Sequence, residues 1–151
     1  MTQLRVEERG SALWLTLDGE ASRNALDDEI AVHLTAALNS ISDRPAIRSV
    51  VLTGAGDKVF CAGGNLKAES GPFVPDPNRA NHPLKAMFAA LRDCAVPVIA
   101  RVNGAAVGGG LGLTCACDFA IAQDKAVFAT PEIKVGLFPL FILAPMFQMM
   151  P

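Results

Sequence analysis

Two glycine-rich turns, each at the end of an apolar run, carry the residues best suited to chemistry. The first is Val59-Phe60-Cys61-Ala62-Gly63-Gly64-Asn65-Leu66, the second Asn103-Gly104-Ala105-Ala106-Val107-Gly108-Gly109-Gly110-Leu111. Small residues let a ligand approach the backbone, and the N–H groups of such turns can point at an anionic oxygen. The second turn also opens a helix, whose unpaired N–H groups and dipole favour negative charge. Two donors aimed at one point form an oxyanion hole, which contributes several kcal/mol as charge develops in a transition state. A carboxylate follows in Ala129-Thr130-Pro131-Glu132-Ile133, between apolar residues and the apolar stretch Val135-Gly136-Leu137-Phe138-Pro139. Placed beside an oxyanion site, Glu132 can carry a proton as general acid and base. Taken singly, the triple glycine also reads as a packing turn and Glu132 as a surface residue.

Other chemistries find no pattern. No GxGxxG occurs, Gly54-Ala55-Gly56-Asp57-Lys58-Val59 does not fit GxxxxGK[ST], and no GxSxG is present. Cys61, Cys94, Cys115 and Cys117 form no CxxC pair, and neither His33 nor His82 lies beside them. Buried thiols in a reducing compartment are expected, with no metal site. With 51% hydrophobic and 19% charged residues, the chain is no disordered segment. A net charge of −2 gives no global basic field for nucleic acid or an anionic membrane. The start, MTQLRVEERG, lacks the basic-then-apolar layout of a signal peptide. Residues 135–151 hold no charge, but Pro139 and Pro145 interrupt them, so a packed helix awaiting partners is expected rather than a membrane span. A soluble, cytoplasmic protein is the resulting expectation.

The elements that position these residues follow from periodicity. Residues 3–17 predict a hairpin: Leu4, Val6, Leu13, Leu15 and Leu17 alternate with polar residues around Gly10-Ser11. A polar loop, residues 20–24, precedes an amphipathic helix marked by Leu26, Ile30, Leu34, Leu38 and Ile41. Asp27, Asp28 and Glu29 suit its first turn, and Asp43-Arg44-Pro45 ends it. Buried strands are expected at 49–53 and 96–102, a helix at 84–93, and an exposed, mobile loop over the proline-rich residues 72–83. The triple glycine should lead into a helix through Cys117, then strands at 119–122 and 126–128. Strand-helix alternation of this kind predicts stacked β-α units with parallel pairing, and no internal sequence repeat marks a regular solenoid.

In this order the motifs are specific. The sequence resembles the crotonase family, the enoyl-CoA hydratase/isomerase superfamily, from the first hairpin onward. VVLTGAGDKVFCAGGNLK at 50–67 is similar to its first oxyanion segment and PVIARVNGAAVGGGLGLTCACDFAIA at 97–122 to its second. FATPEIKVGLFP at 128–139 resembles the strand and loop carrying a catalytic acid, and SRNAL at 22–26 the loop that contacts CoA. The resemblance implies an α/β fold, a crotonase-like (ClpP/crotonase) spiral of β-β-α units, that binds an acyl-CoA thioester. It implies that the N–H groups of Ala62 and Gly109 hold the thioester oxygen as an enolate forms, with Glu132 as acid–base. Gly63, Gly64 and Asn65 would line the acyl-CoA segment, with Ser22, Arg23 and Ala25 near the pantetheine or phosphate end. No cofactor is implied beyond the CoA of the substrate, and no metal.

Two departures from the family pattern bear on the reaction. Family hydratases carry a further carboxylate on the helix after the triple glycine, where this chain has Gly112. Asn65 stands where Asp is usual, which keeps hydrogen bonding and removes a charge. The expected function is therefore enoyl-CoA hydratase/isomerase-type chemistry with Glu132 as the retained acid–base. Hydration with an unusual water-positioning group, Asp118 or Glu69, is a variant. A non-catalytic acyl-CoA-binding paralogue and a truncated structural fragment are the alternatives. The resemblance further implies that residues 1–151 are the N-terminal share of a larger domain whose C-terminal helical part is absent, ending within a helix. A homotrimer or dimer of trimers is expected at full length. Acyl-chain preference would rest on residues 71–81 and on sequence past Pro151.

Overall fold

In a computed structural model of the chain, the described residues are 1–65, 82–136 and 138–149, with Val135 described by its backbone alone. Residues 71–81 and Glu69 lie outside them, as does most of the proline-rich loop. The N-terminal hairpin forms as expected: β1 (Gln3–Arg9) and β2 (Ala12–Asp18) pair antiparallel from Arg9↔Ala12 to Gln3↔Asp18. The alternation of β2 sends Leu13, Leu15 and Leu17 to the core at 1% exposure or less. α1 (Asp28–Asn39) starts two residues later than the apolar period suggests, because Asp27 caps it, its carboxylate accepting the Ile30 N–H at 3.0 Å. Ile30, Ala31, Leu34 and Leu38 of α1 are buried.

The rest of the chain repeats one motif. Each unit contributes a strand to a large sheet, then a strand to a small sheet, then a helix. The first is β3 (Ser49–Gly54), β4 (Val59–Cys61) and α2 (Pro83–Arg92). The second is β5 (Val98–Val102), β6 (Ala105–Val107) and α3 (Gly109–Ala116). The third is β7 (Phe119–Ala122), β8 (Phe128–Ala129), the 3₁₀ turn Pro131–Val135 and α4 (Leu140–Met149). The large sheet runs β1-β2-β3-β5-β7 and the small one β4-β6-β8, parallel at every pairing after the hairpin. This is a β-β-α spiral in an α/β fold.

Three elements differ from the periodicity reading. β6 falls on residues that read as a turn, since three small residues show no alternation. β8 is Phe128–Ala129 rather than 126–128. α4 continues through Pro145, which is buried inside the helix, so that proline does not end it. The core gathers β2, β3, β5, α1 and α2 side chains, among them Leu15, Leu52, Ile30, Met87 and Val98. Among the described residues no helix is long and apolar enough to cross a membrane, and no His/Cys/Asp/Glu cluster could hold a metal ion.

Candidate functional site

The small sheet explains where the site is. Its three parallel strands align at Cys61↔Ala106, after an irregularity between Val59 and Cys61, and at Ala106↔Phe128 and Val107↔Ala129. Their C-terminal ends therefore open together: β4 into residues 62–65, β6 into Gly108-Gly109, β8 into Thr130-Pro131-Glu132. Ligands of open parallel sheets gather outside such strand ends. A pocket there is lined by Gly64, Gly109 and Glu132 together with Leu26, Leu84, Phe88, Phe138, Phe141 and Ile142. Sequence separation of 68 residues between Gly64 and Glu132 is closed by the spiral.

Hydrogen bonding decides which backbone donors are available at the first turn. Ala62 N–H donates to the Arg23 carbonyl at 3.1 Å. Gly63 N–H points at the Cys61 sulfur at 3.4 Å, and Asn65 N–H donates to the Leu26 carbonyl at 2.7 Å. Gly64 N–H has no partner among the described residues, and Gly64 is the member of this turn that lines the pocket. The Ala62 N–H expected to serve as donor is thus engaged by Arg23, and the N–H of this turn without a partner among the described residues is that of Gly64. The physical reason is the 23–26 loop, which lies against the turn through a single parallel bridge, Leu26↔Gly64, with Leu26 N–H donating to the Gly63 carbonyl at 2.7 Å.

The second turn has one N–H engaged and one open. Gly108 N–H is taken by the Ala129 carbonyl at 2.8 Å, whereas Gly109 is the first residue of α3 and its N–H has no intrahelical acceptor. Gly109 is close to Gly64: a Cβ at Gly109 would stand 3.7 Å from the Gly64 nitrogen. Gly108 has φ +52°, and a Cβ there would stand 2.8 Å from the Glu132 Oε1. Only glycine gives both that backbone angle and that approach of the carboxylate.

Glu132 sits in the 3₁₀ turn Pro131–Val135, half-buried. Its Oε2 is buried with no hydrogen-bond partner among the described residues. A buried carboxylate oxygen without a partner is costly unless something else is meant to meet it. At Gly112, where the family pattern has a second carboxylate, a Cβ would collide with Ile142 Cγ2 and stand 2.9 Å from Ile142 Cβ and 3.2 Å from Phe88 Cζ.

The remaining candidates fall into place. Gly63 is buried behind the turn. Ser22 Oγ bonds Thr2 Oγ1 at 2.8 Å and donates to the Gly19 carbonyl at 2.9 Å, so its hydroxyl holds the loop. Ala25 is buried at 7% exposure. Arg23 is exposed, with φ +56°. Asp118 is not at the pocket: its Oδ2 accepts the Val98 N–H at 2.8 Å, and the residue lines a separate groove of about 920 Å³ with His82, Lys85 and Cys115. Cys61 and Cys117 are free thiols pushed up to about 12 by burial, so neither is a nucleophile near neutral pH.

Two residues that sequence reasoning passed over organise the loops. Asn24, fully buried with φ +53°, accepts from Gly19 N–H at 3.0 Å and donates to the carbonyls of Ala55 at 3.0 Å and Val59 at 2.7 Å. Asn103 accepts from Gly54 N–H at 3.0 Å and donates to the Gly56 carbonyl at 2.8 Å. The signal was an uncharged amide inside an otherwise turn-like segment, since Asn tolerates left-handed backbone and can satisfy several backbone groups at once.

The family model described as Enoyl-CoA hydratase/isomerase matches residues 7–149. The chain belongs to the enoyl-CoA hydratase/isomerase family. It is 41% identical over 136 residues to a carnitinyl-CoA dehydratase of Salmonella arizonae, covering 90% of this chain and 51% of that protein. A crystal structure of an enoyl-CoA hydratase from Polaromonas sp. JS666 is 40% identical with TM-score 0.79, over 89% of this chain and 53% of that one. An enoyl-CoA hydratase/isomerase from Marinobacter aquaeolei is 32% identical with TM-score 0.83, over 96% and 58% respectively. The chain thus spans about half the length of the curated relatives it matches.

Proposed function

We propose that this family member binds an acyl-CoA thioester and shifts a proton on its acyl chain through an enolate. Gly64 and Gly109 supply the two N–H donors to the thioester oxygen, and Glu132 takes and returns the proton. One observation carries the reading: among the described residues, the two N–H groups left without acceptors and the carboxylate oxygen left without a donor belong to one otherwise apolar pocket. An enolate needs donors aimed at its oxygen and a base beside its α carbon, and it needs no metal. The CoA of the substrate is the only cofactor-like group required. Arg23, exposed on the loop that pairs with the Gly63-Gly64 turn, is suited to the phosphate end of CoA. The relatives named carnitinyl-CoA dehydratase and enoyl-CoA hydratase favour an enoyl-CoA or hydroxyacyl-CoA substrate class.

The test is proton exchange in deuterated water with 3-enoyl- and 2-enoyl-CoA thioesters, followed by mass spectrometry. The chain incorporates deuterium into the acyl group, and Glu132→Gln lowers that rate roughly 10³-fold while thioester binding by calorimetry stays within a few-fold. Unchanged exchange in Glu132→Gln would sink this assignment. Binding without exchange by the unsubstituted chain would instead identify a non-catalytic acyl-CoA-binding protein.

A further inference from the structure

The pocket is closed on one side in a way that bears on what becomes of the enolate. Position 112 lies one helical turn beyond Gly109, on α3, and is buried. The space a side chain would enter there is occupied by Ile142 of α4, 3% exposed, and by the Phe88 ring of α2. Both also line the pocket, together with Glu132. A water held in a protein needs two to four polar partners. Among the described residues the pocket's only polar side chain is Glu132, and in this reading the Gly64 and Gly109 N–H groups face the thioester oxygen once it is bound.

Two outcomes compete for a thioester in this site. In double-bond migration, Glu132 removes a proton from the α carbon, the electron pair delocalises onto the carbonyl oxygen and along the acyl chain, and Glu132, its proton having exchanged with solvent, delivers a proton to the γ carbon. Nothing is added or lost. In hydration, a water oxygen bonds to the β carbon, the π pair moves toward the α carbon and carbonyl oxygen, and a proton is delivered to the α carbon. The attacking water must also give up a proton to a base. One carboxylate suffices for the first; the second needs a held water as well.

We propose that Ile142, seated over Gly112 against Phe88, is the residue that directs this site to proton transfer and excludes water addition. The proposal rests on the enolate reading above. Ile142 acts by occupying volume: its side chain keeps both water and any polar side chain at position 112 from the β carbon. The contact is reciprocal, since Gly112 makes room for Ile142, so α3 and α4 fix the outcome jointly.

The experiment measures two rates on each variant, deuterium exchange at the acyl chain and gain of water across 2-enoyl-CoA, and compares their ratio. The unsubstituted chain exchanges at least 100-fold faster than it hydrates. Ile142→Ala combined with Gly112→Glu raises the hydration-to-exchange ratio at least 10-fold, and Phe88→Leu, which opens the same wall from α2, raises it several-fold. Circular dichroism checks that each variant is folded, and if the double variant is not, the Phe88→Leu ratio decides. Hydration by the unsubstituted chain at a rate comparable to exchange would overturn the proposal. So would an unchanged ratio in folded variants; exchange that still depends on Glu132 in that case leaves the enolate reading standing. Absence of exchange in the unsubstituted chain overturns both.

Discussion

The two sheets of this protein share the same three β-β-α units, the large one adding the β1–β2 hairpin, and contribute different things. The large sheet has strands of four to seven residues, and its central members bury Leu13, Leu15, Val50, Leu52 and Val98 at 1% exposure or less. The small sheet has strands of two or three residues, made of Val, Phe, Cys and Ala, and buries little beyond Phe60, Cys61 and Ala106. Yet all three groups of the candidate site leave the C-terminal ends of the small sheet. Burial is concentrated where side chains are large, and the candidate site where they are small enough for backbone N–H groups to reach a ligand. The small sheet holds its shape through borrowed contacts: the 23–26 loop against residues 62–65, and the amides of Asn24 and Asn103 across the intervening turns.

Substitutions can break this division from either side. The largest effect beyond Glu132→Gln is expected in the large sheet. Leu52→Ala removes a fully buried side chain from β3 and should cost about 3 kcal/mol, on the order of 100-fold in the folding equilibrium, read by urea unfolding. Exchange per folded molecule should hardly change, because Leu52 touches none of the pocket. Gly64→Pro works the other way. It removes the unpartnered N–H, and kcat for exchange should fall roughly 10²-fold with the urea midpoint little altered. If Ala62 rather than Gly64 were the donor, that variant would retain most of its exchange.

Asn24→Ala lies between these poles. It leaves the Gly19 N–H and the Ala55 and Val59 carbonyls without their amide partner, at a cost of about 1–3 kcal/mol. Because it also loosens the loop that pairs with Gly63, KM for the thioester should rise several-fold in the same variant. The smallest effect is expected for Arg23→Gln. Stability should be unchanged at an exposed position, and KM should rise two- to fivefold at low salt, with the difference shrinking as salt is added. An Arg23→Gln KM equal to the unsubstituted value at every ionic strength would remove Arg23 from the CoA end.

Much of the large sheet is legible in the sequence because long strands and amphipathic helices leave a period. The β1–β2 hairpin and α1 lie where Leu13, Leu15, Leu17 and Ile30, Leu34, Leu38 put them, and the Asp27 cap shifts the helix start by only two residues. The small sheet is not legible in this way. Ala105-Ala106-Val107 shows no alternation and reads as part of a glycine turn, and Phe128–Ala129 is too short for any period. Its location was available only through the motif, which marked 62–65, 108–110 and Glu132 without saying how they meet.

By itself the sequence determined the family, the β-β-α plan, the carboxylate and the two turns, because residue type and order suffice for these. It also determined that position 112 carries no acid. Tertiary structure alone decided which N–H in the first turn is free. That depends on a loop forty residues away taking the Ala62 N–H to the Arg23 carbonyl, and on the Cys61 thiol and Leu26 carbonyl taking the others. It alone decided that Gly112 is not an empty place but one filled by Ile142 and Phe88. Hydrogen-bond partnership and filled volume are properties of pairs of residues distant in the chain, and no single stretch of sequence contains them.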